Sequence, residues 1–395
     1  IWTRQSLSLL GLSPRVSVSI AIWFPNDIFS GISSLWRYIF GKLLLNSYPF
    51  YKIYFFYIEY ILYSQLIKLY YFTTTSSEAR KINIPSNKSK IVSVFGGNGF
   101  VGRNLVRELA KDGYRIKIGT RNPTTANHLY VSGVPGQIEV INVNVNSEVS
   151  INKFIQGSDY VVNLIGVLEE GKRQKFQYIH GELPGLIAKG CTQYGVERFI
   201  HMSSLGADVN STSKYQRSKA LGEESVKSEN INHTIIRPSI VFGIDDNFFN
   251  QFARILSLAP LFPLIGNGNT KFQPVYVLDL VKLIILHLED INKKSTYEVG
   301  GKEIYSLREV IELILTTIGK KRLLIPVPFS LSKIFITPMQ VLPKRPITFD
   351  QLESLKTDNI LRNSKNKEIG KLEDYGIQAC SPKNIIPEYL GRFSS

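Results

Sequence analysis

The sequence predicts an α/β protein: a doubly wound parallel sheet with a smaller C-terminal α/β lobe. Three observations carry this. Between residues 88 and 244, short β-branched runs alternate with helical periods at the spacing of a parallel sheet covered on both faces. The first of these runs, Ile91–Phe95, breaks into glycines at 96, 97, 99 and 102 and opens directly into a helix-forming stretch. Beyond residue 244 the alternation loosens, and helical segments are separated by proline-rich links such as Pro326-Val327-Pro328 and Pro343-Lys344-Arg345-Pro346.

In chain order, strands are expected at 90–95, 114–119, 138–143, 159–164, 197–202 and 232–237. Helices are expected at 101–112, 149–156, 176–194 and 213–228. Further helices are expected at 247–257, 279–290, 306–318 and 349–357, within a C-terminal lobe and tail of residues 245–395. The domain of residues 88–244 is preceded by a polar linker at 74–87.

Residues 1–87 read as an extension of that domain: a leader, an interfacial segment or a stretch of upstream translation. Residues 1–45 are rich in Arg, Ser and Leu and nearly free of acids, as in a mitochondrial transit peptide. Residues 48–72 are dense in Tyr and Phe, but their apolar core, Ile53–Ile67, is fifteen residues and contains Glu59. A spanning helix needs about twenty apolar residues. The formal charge of the chain is +15, and residues 1–90 carry ten Lys/Arg against three Asp/Glu. With no helix-turn-helix, zinc finger or RNA-binding aromatic motif, this excess points to a membrane surface or protein partner, not to nucleic acid. Two cysteines and five histidines without metal spacing exclude a disulfide framework and give no metal site.

The glycine run has the form of a dinucleotide-binding (Rossmann) turn. Gly96 permits the tight turn off the strand, Gly99 lets backbone approach the pyrophosphate, and Gly102 lets the helix pack close to the sheet. The anion would rest on the N–H groups of the first helical turn, at Phe100, Val101 and Gly102. The second strand ends at Thr120-Arg121, where an acidic residue would select NAD. Arg121 suits a 2′-phosphate instead, and Arg103 adds a second cation. Neither has a carboxylate beside it in the sequence, so NADPH is favoured over NAD(H). Asn163 and Gly166, at the end of the fourth strand, would pass beside the cofactor ribose, and Asn144 would reach the adenine edge.

Tyr215 and Lys219 stand one helical turn apart. A lysine ammonium stabilises a tyrosinate, so the pair can exchange a proton with a carbonyl or alcohol, and the lysine can also hold a ribose. Ser203 or Ser204, ending the fifth strand, would hydrogen-bond a substrate oxygen. The spacing alone is unspecific, since Tyr48 and Lys52 repeat it in the extension. Position after the fifth strand and its serines is what distinguishes Tyr215 and Lys219.

The glycine turn, the Tyr215/Lys219 pair and Arg237-Pro238-Ser239-Ile240-Val241-Phe242-Gly243 resemble the atypical short-chain dehydrogenase/reductases. Four stretches narrow the resemblance: Val161–Gly166, Val196–Ser204, Ser213–Glu223, and Asp246–Phe252 with Lys271–Asp279. Together they resemble the nucleotide-binding accessory subunits of respiratory complex I and their α-proteobacterial relatives, over residues 90–380. The resemblance implies a tightly held, structural NADPH and contacts with complex I subunits. It implies a peripheral place on an energy-transducing inner membrane, on the mitochondrial matrix side or the α-proteobacterial cytoplasmic side. It places Gly96, Gly99, Gly102, Arg103 and Arg121 at the phosphates; Pro238 is also expected among the cofactor-binding residues. Tyr215 and Lys219 would then face the ribose and nicotinamide. Ser204 stands where mitochondrial members can carry another residue, which keeps catalysis open. Its eleven-residue separation from Tyr215 is short for a sugar-modifying reductase. A non-catalytic accessory or assembly protein is the favoured reading. The alternatives are an active NADP-dependent reductase or isomerase on a small carbonyl, lipid or quinone-like substrate, and a nucleotide-sensing regulator.

Overall fold

The computed structural model describes residues 90–171, 174–289, 295–337, 340, 347–361 and 369–394. The expected extension, with its transit-like and aromatic segments, lies outside the described residues.

Eight strands form one sheet in which every described pairing is parallel. In chain order its first six are β1 (Ile91–Phe95), β2 (Arg115–Thr120), β3 (Ile138–Asn142), β4 (Tyr160–Asn163), β5 (Arg198–Met202) and β6 (His233–Pro238). Four short or edge strands follow: β7 (Val241–Phe242), β8 (Leu261–Ile265), β9 (Lys271–Phe272) and β10 (Val275–Tyr276). The last four are β11 (Thr296–Val299), β12 (Tyr305–Ser306), β13 (Leu323–Val327) and β14 (Ile369–Gly370). The order across the large sheet is β14-β11-β6-β5-β4-β1-β2-β3. The direction of winding reverses between β1 and β4, and ligands of such sheets bind in the crevice outside the strand ends at that reversal.

The strands read as continuous apolar runs because both faces are covered. Val92 and Val94 of β1 pack under helices α1 (Phe100–Lys111) and, from the far end of the chain, Val277–Glu289. Phe95 of the same strand faces the opposite core, built with α2 (Glu148–Ile155), α3 (Leu183–Gln193) and α4 (Lys214–Lys227). The six expected strands and the helices flanking them appear with ends shifted by at most a residue. One helix differs. The expected helix at 176–194 begins as a π-turn over Gln177–Glu182 before becoming α3. A π-bulge of this kind commonly marks a functional site.

After residue 244 the chain does two things. Helices α5 (Phe248–Leu258), α6 (Val277–Glu289), α7 (Leu307–Thr317), α8 (Phe329–Ile336), α9 (Phe349–Ser354) and α10 (Pro382–Leu390) follow in order. Helix α6 and strand β11 return to the large sheet, β11 pairing Thr296 with Ile235 and Val299 with Pro238 of β6. Helices α5, α7 and α10 instead enclose a second core with β8, beside the parallel β8–β13 ribbon. Strand β11 had no sequence signal: it is four residues long and carries a buried Glu298. Among the described residues, no helix is long and apolar enough to cross a membrane.

Candidate functional site

The turn from β1 to α1 is built around two glycines. Gly96 sits at φ +76°, and a Cβ there would lie 3.2 Å from Leu164 C. At Gly102 a Cβ would fall 2.4 Å from Gly96 O and 2.6 Å from Gly97 Cα, so only hydrogen permits the helix to start this close to the strand. Gly99 caps α1 without a side-chain hydrogen bond. Within the turn Gly99 N donates to Gly96 O at 2.9 Å, and the next N–H with a backbone acceptor is Arg103 N, to Gly99 O at 2.9 Å. The preceding N–H groups of Phe100, Val101 and Gly102 point out of the helix end, a ready anion site. A dinucleotide pyrophosphate fits this cradle: the donors, the positive end of the helix dipole and the absent side chains coincide.

Beside the cradle, the structure amends one sequence inference. Asp245, more than 140 residues downstream, comes within 3.6 Å of the Arg103 guanidinium. Arg103 therefore does have a carboxylate neighbour. Arg121 is exposed at the end of β2, where its guanidinium meets the side-chain oxygen of Gln174 in that amide's favoured orientation. Asn144 is occupied locally: its N–H donates to Ser150 Oγ at 3.0 Å and its Oδ1 accepts from Asn146 N at 3.1 Å, forming the turn into α2.

On the other side of the crevice, α4 carries Tyr215 and Lys219 against the ends of β4 and β5. Asp350 of α9 fixes the start of α4, accepting from Ser213 Oγ at 2.9 Å, Lys214 N at 2.7 Å and Tyr215 N at 3.1 Å. Lys219 is buried, and its Nζ donates to Met202 O at 2.9 Å. Burial lowers its pKa to about 8, opposed by the carboxylate of Glu223. Ser204 Oγ is buried without a hydrogen bond of regular geometry and lies against the Tyr215 hydroxyl. Burial pushes the Tyr215 phenol up, and Ser204 pulls it back. Ser204, Tyr215 and Lys219 are thus brought together. A Cβ on Gly166 would lie 3.6 Å from Lys219 Nζ, so Gly166 leaves space at the tip of β4.

His180 was not foreseen. It lies in the π-turn, fully buried, stacked on Phe176 at 5.3 Å and edge-on to Tyr215 at 5.2 Å. Val167 N–H donates to His180 Nε2 at 3.0 Å. The proton must then be on Nδ1, which donates to Ser218 Oγ at 3.1 Å, and Ser218 Oγ donates in turn to the backbone carbonyl of Tyr215 at 2.8 Å. Burial, then the charge of Lys219, lowers the His180 pKa to about 2, so the ring is neutral. The loop after β4 is in this way tied to the turn of α4 that bears Tyr215. The sequence signal for a helix at 176–194 covers this turn, but it does not distinguish a π-turn, whose hydrogen bonds span one residue more, from an ordinary helix.

Ser203 is directed elsewhere. Its Oγ donates to Glu223 Oε1 at 2.5 Å, and Glu223 is gripped by Arg237 through Nε at 2.8 Å and Nη2 at 2.6 Å. The Pro238 carbonyl accepts from Leu205 N at 2.9 Å and holds the segment after β5 in place. Asn163, fully buried, accepts from Ile165 N at 3.1 Å and faces His201 Nδ1 at 3.3 Å. A cavity of about 610 Å³ opens next to Phe176, lined also by Glu169, Lys214, Arg217, Phe349 and Asp350. Among the described residues, no cluster of His, Cys, Asp and Glu could hold a metal.

Comparison with known proteins agrees with this architecture. Residues 92–300 match the NAD dependent epimerase/dehydratase family. The chain is 31% identical over 290 residues to NADH dehydrogenase [ubiquinone] 1 alpha subcomplex subunit 9, mitochondrial, of Arabidopsis thaliana, covering 70% of this chain and 72% of the relative. It is 32% identical over 292 residues to the mouse protein of the same name, covering 73% and 76%. Among solved structures, the UDP-glucose 4-epimerase of Thermus thermophilus in complex with NAD superposes with a TM-score of 0.56 at 19% identity, over 77% of this chain and 98% of that one. Fold, glycine turn and sequence identity converge, and the chain belongs to the NAD dependent epimerase/dehydratase family, in the branch of the alpha subcomplex subunit 9 proteins of NADH dehydrogenase [ubiquinone].

Proposed function

We propose that the chain is an accessory or assembly protein of respiratory complex I that holds NADPH at the glycine turn as a fixed brace and does not turn it over. The observation that carries this is a complete anion cradle, Gly96 to Gly102, in a chain 31–32% identical to subunits named for that complex. The exposed guanidinium of Arg121, standing where an NAD-selecting carboxylate would be, supports the phosphorylated dinucleotide. The relatives' mitochondrial names support a peripheral site on the inner membrane, facing the matrix or, in a bacterium, the cytoplasm. Exposed apolar residues in one segment of the chain, Leu323 and Ile325 of β13 and Leu331, Ile334 and Phe335 of α8, with exposed Lys321 and Lys333, support contact with a membrane surface. The test is to isolate the protein from its native membrane, denature it, and identify released nucleotide and co-purifying subunits by mass spectrometry. NADP(H) together with complex I subunits is expected. Absence of both rejects the proposal.

The convergence of Ser204, Tyr215 and Lys219 favours a second reading, an NADP-dependent reductase or isomerase of a small carbonyl, lipid or quinone-like compound. The nicotinamide would supply hydride chemistry. Tyr215 would hold the substrate oxygen and its proton, Ser204 would orient that oxygen, and Lys219 would set the phenol's acidity. Tyr215→Phe should then abolish NADPH oxidation by a carbonyl panel while sparing nucleotide binding. A wild-type protein inert toward the whole panel removes this reading.

A further inference from the structure

Asp245 stands where a dinucleotide-binding protein has least use for a carboxylate. It approaches Arg103, the first cation after the glycine turn, to 3.6 Å, and the two side chains are 44% and 27% exposed. Its position is imposed by its neighbours. A Cβ on Gly243 would lie 3.2 Å from the ring of Phe100 and 2.9 Å from Val277, so the loop after β7 rests directly on the first residue of α1. The next residue, Asp246, is anchored on every side. Its Oδ1 accepts from Phe249 N at 2.6 Å, and its Oδ2 accepts from Gly243 N at 3.2 Å and from Tyr389 OH of α10 at 2.7 Å. Asn250, the third residue of α5, accepts from Arg392 at 2.5 Å. Loop 243–247 is therefore a bracket between the anion cradle and the C-terminal helix, and Asp245 is its charged tip.

We propose that Asp245 sets the affinity of the nucleotide site by competing with the dinucleotide phosphates for Arg103, and that nucleotide binding is thereby linked to the loop anchoring α5 and α10. This rests on the nucleotide-binding reading above. Asp245 offsets part of the Arg103 charge that a phosphate would meet, and the same carboxylate repels the incoming anion. Both effects are removed together when Asp245 is neutralised. Linkage is reciprocal, so whatever favours the Arg103–Asp245 pair weakens nucleotide binding, and nucleotide binding loosens the pair.

The experiment is a fluorescence titration of the full chain with NADPH and with NADH, at low and at physiological salt, for wild type, Asp245→Asn, Asp245→Ala and Arg103→Gln. Asp245→Asn and Asp245→Ala should both tighten NADPH binding by about three- to ten-fold at low salt, and by less at physiological salt. Arg103→Gln should weaken it, and on that background Asp245→Asn should lose at least half of its gain. Hydrogen exchange provides a second readout: NADPH should speed exchange of the amides at 243–249 in wild type and not in Arg103→Gln. Unchanged affinity in both Asp245 variants, or an equal gain with and without Arg103, overturns the competition. A wild-type chain that binds neither nucleotide overturns the nucleotide-binding reading and this proposal together. Binding by wild type with indifferent Asp245 variants overturns this proposal alone.

Discussion

Replacing Gly102 by alanine adds one methyl group at the most crowded point of the site. The new Cβ would lie 2.4 Å from Gly96 O, 2.6 Å from Gly97 Cα and 2.7 Å from Gly97 C. All three are backbone atoms, so no side chain can turn away to make room. Carbon contacts settle at about 3.5–4.0 Å, and helix α1 must therefore withdraw by roughly 1 Å. That helix buries Leu105, Val106 and Leu109 against the sheet, and a gap of this size forfeits about a quarter to a half of each contact's attraction. Strain and lost contact together should cost about 3 kcal/mol, the upper part of the range for overpacking. For a domain of this size that is a fall in melting temperature of roughly 6–12 °C. The N–H groups of Phe100, Val101 and Gly102 move with the helix. Losing even one charge-assisted hydrogen bond to phosphate removes about 1.5–3 kcal/mol, or roughly ten- to a hundred-fold in NADPH affinity. Gly157→Ala is the control. Gly157 also has a positive φ, +72°, but nothing lies within 4 Å of its Cβ position, so alanine costs about 1–2 kcal/mol of backbone strain and leaves nucleotide binding intact. Thermal unfolding by circular dichroism and a fluorescence titration with NADPH measure both effects. If Gly102→Ala melts within 2 °C of wild type, or binds NADPH as tightly, the close-approach reasoning is wrong.

Three further outcomes follow from the buried polar groups. The folded-state pKa of His180 is about 2 against 6.5 for the unfolded chain, so below pH 6.5 only the unfolded chain takes up the proton. Stability should fall by about 2 kcal/mol from pH 7 to pH 5 through this residue, and urea unfolding of His180→Gln should show a correspondingly flatter pH profile. Lys219 is depressed to about 8 from 10.5, so its burial opposes folding most strongly below pH 8, and that penalty fades as pH rises toward 10.5. Stability of wild type relative to Lys219→Met should accordingly rise by on the order of 3 kcal/mol across that window, and a flat difference would show that Lys219 is not desolvated. Glu223→Gln should destabilise the protein by about 3 kcal/mol in guanidinium unfolding, because it leaves Arg237 with only Glu298 at 3.5 Å; a loss below about 1 kcal/mol would mean the pair is hydrated.

Much of the fold was legible because its signals are local. Strand β1 and the glycines after it announce a turn whose steric needs lie within a dozen residues, and the alternation through β6 repeats with a regular period. Tyr215 and Lys219 were legible for the same reason, being neighbours on one helix face. Ser203 and Ser204 were adjacent in sequence and inseparable there. Just past the end of β5, one turns toward Glu223 and the other lies against Tyr215. Asn144 and Asn163, expected at the cofactor, each also accept a hydrogen bond through Oδ1 from their own loop, a local role the sequence did not show.

By itself, the sequence determined the parallel sheet, the glycine cradle and the Tyr–Lys pair, because periodicity and short-range sterics are written in neighbouring residues. Only the tertiary structure decided which charges meet. Asp245 reaches Arg103, Asp350 caps the helix of Tyr215, and Arg237 grips Glu223. His180 enters the site through a π-turn, and β11 returns from beyond residue 244 to pair with β6, with β14 at the edge outside it. Such pairings join residues separated by 14 positions for Glu223 and Arg237 and by 135 for Tyr215 and Asp350. No local pattern encodes them, since their energy comes from burying two groups together that are remote in the sequence.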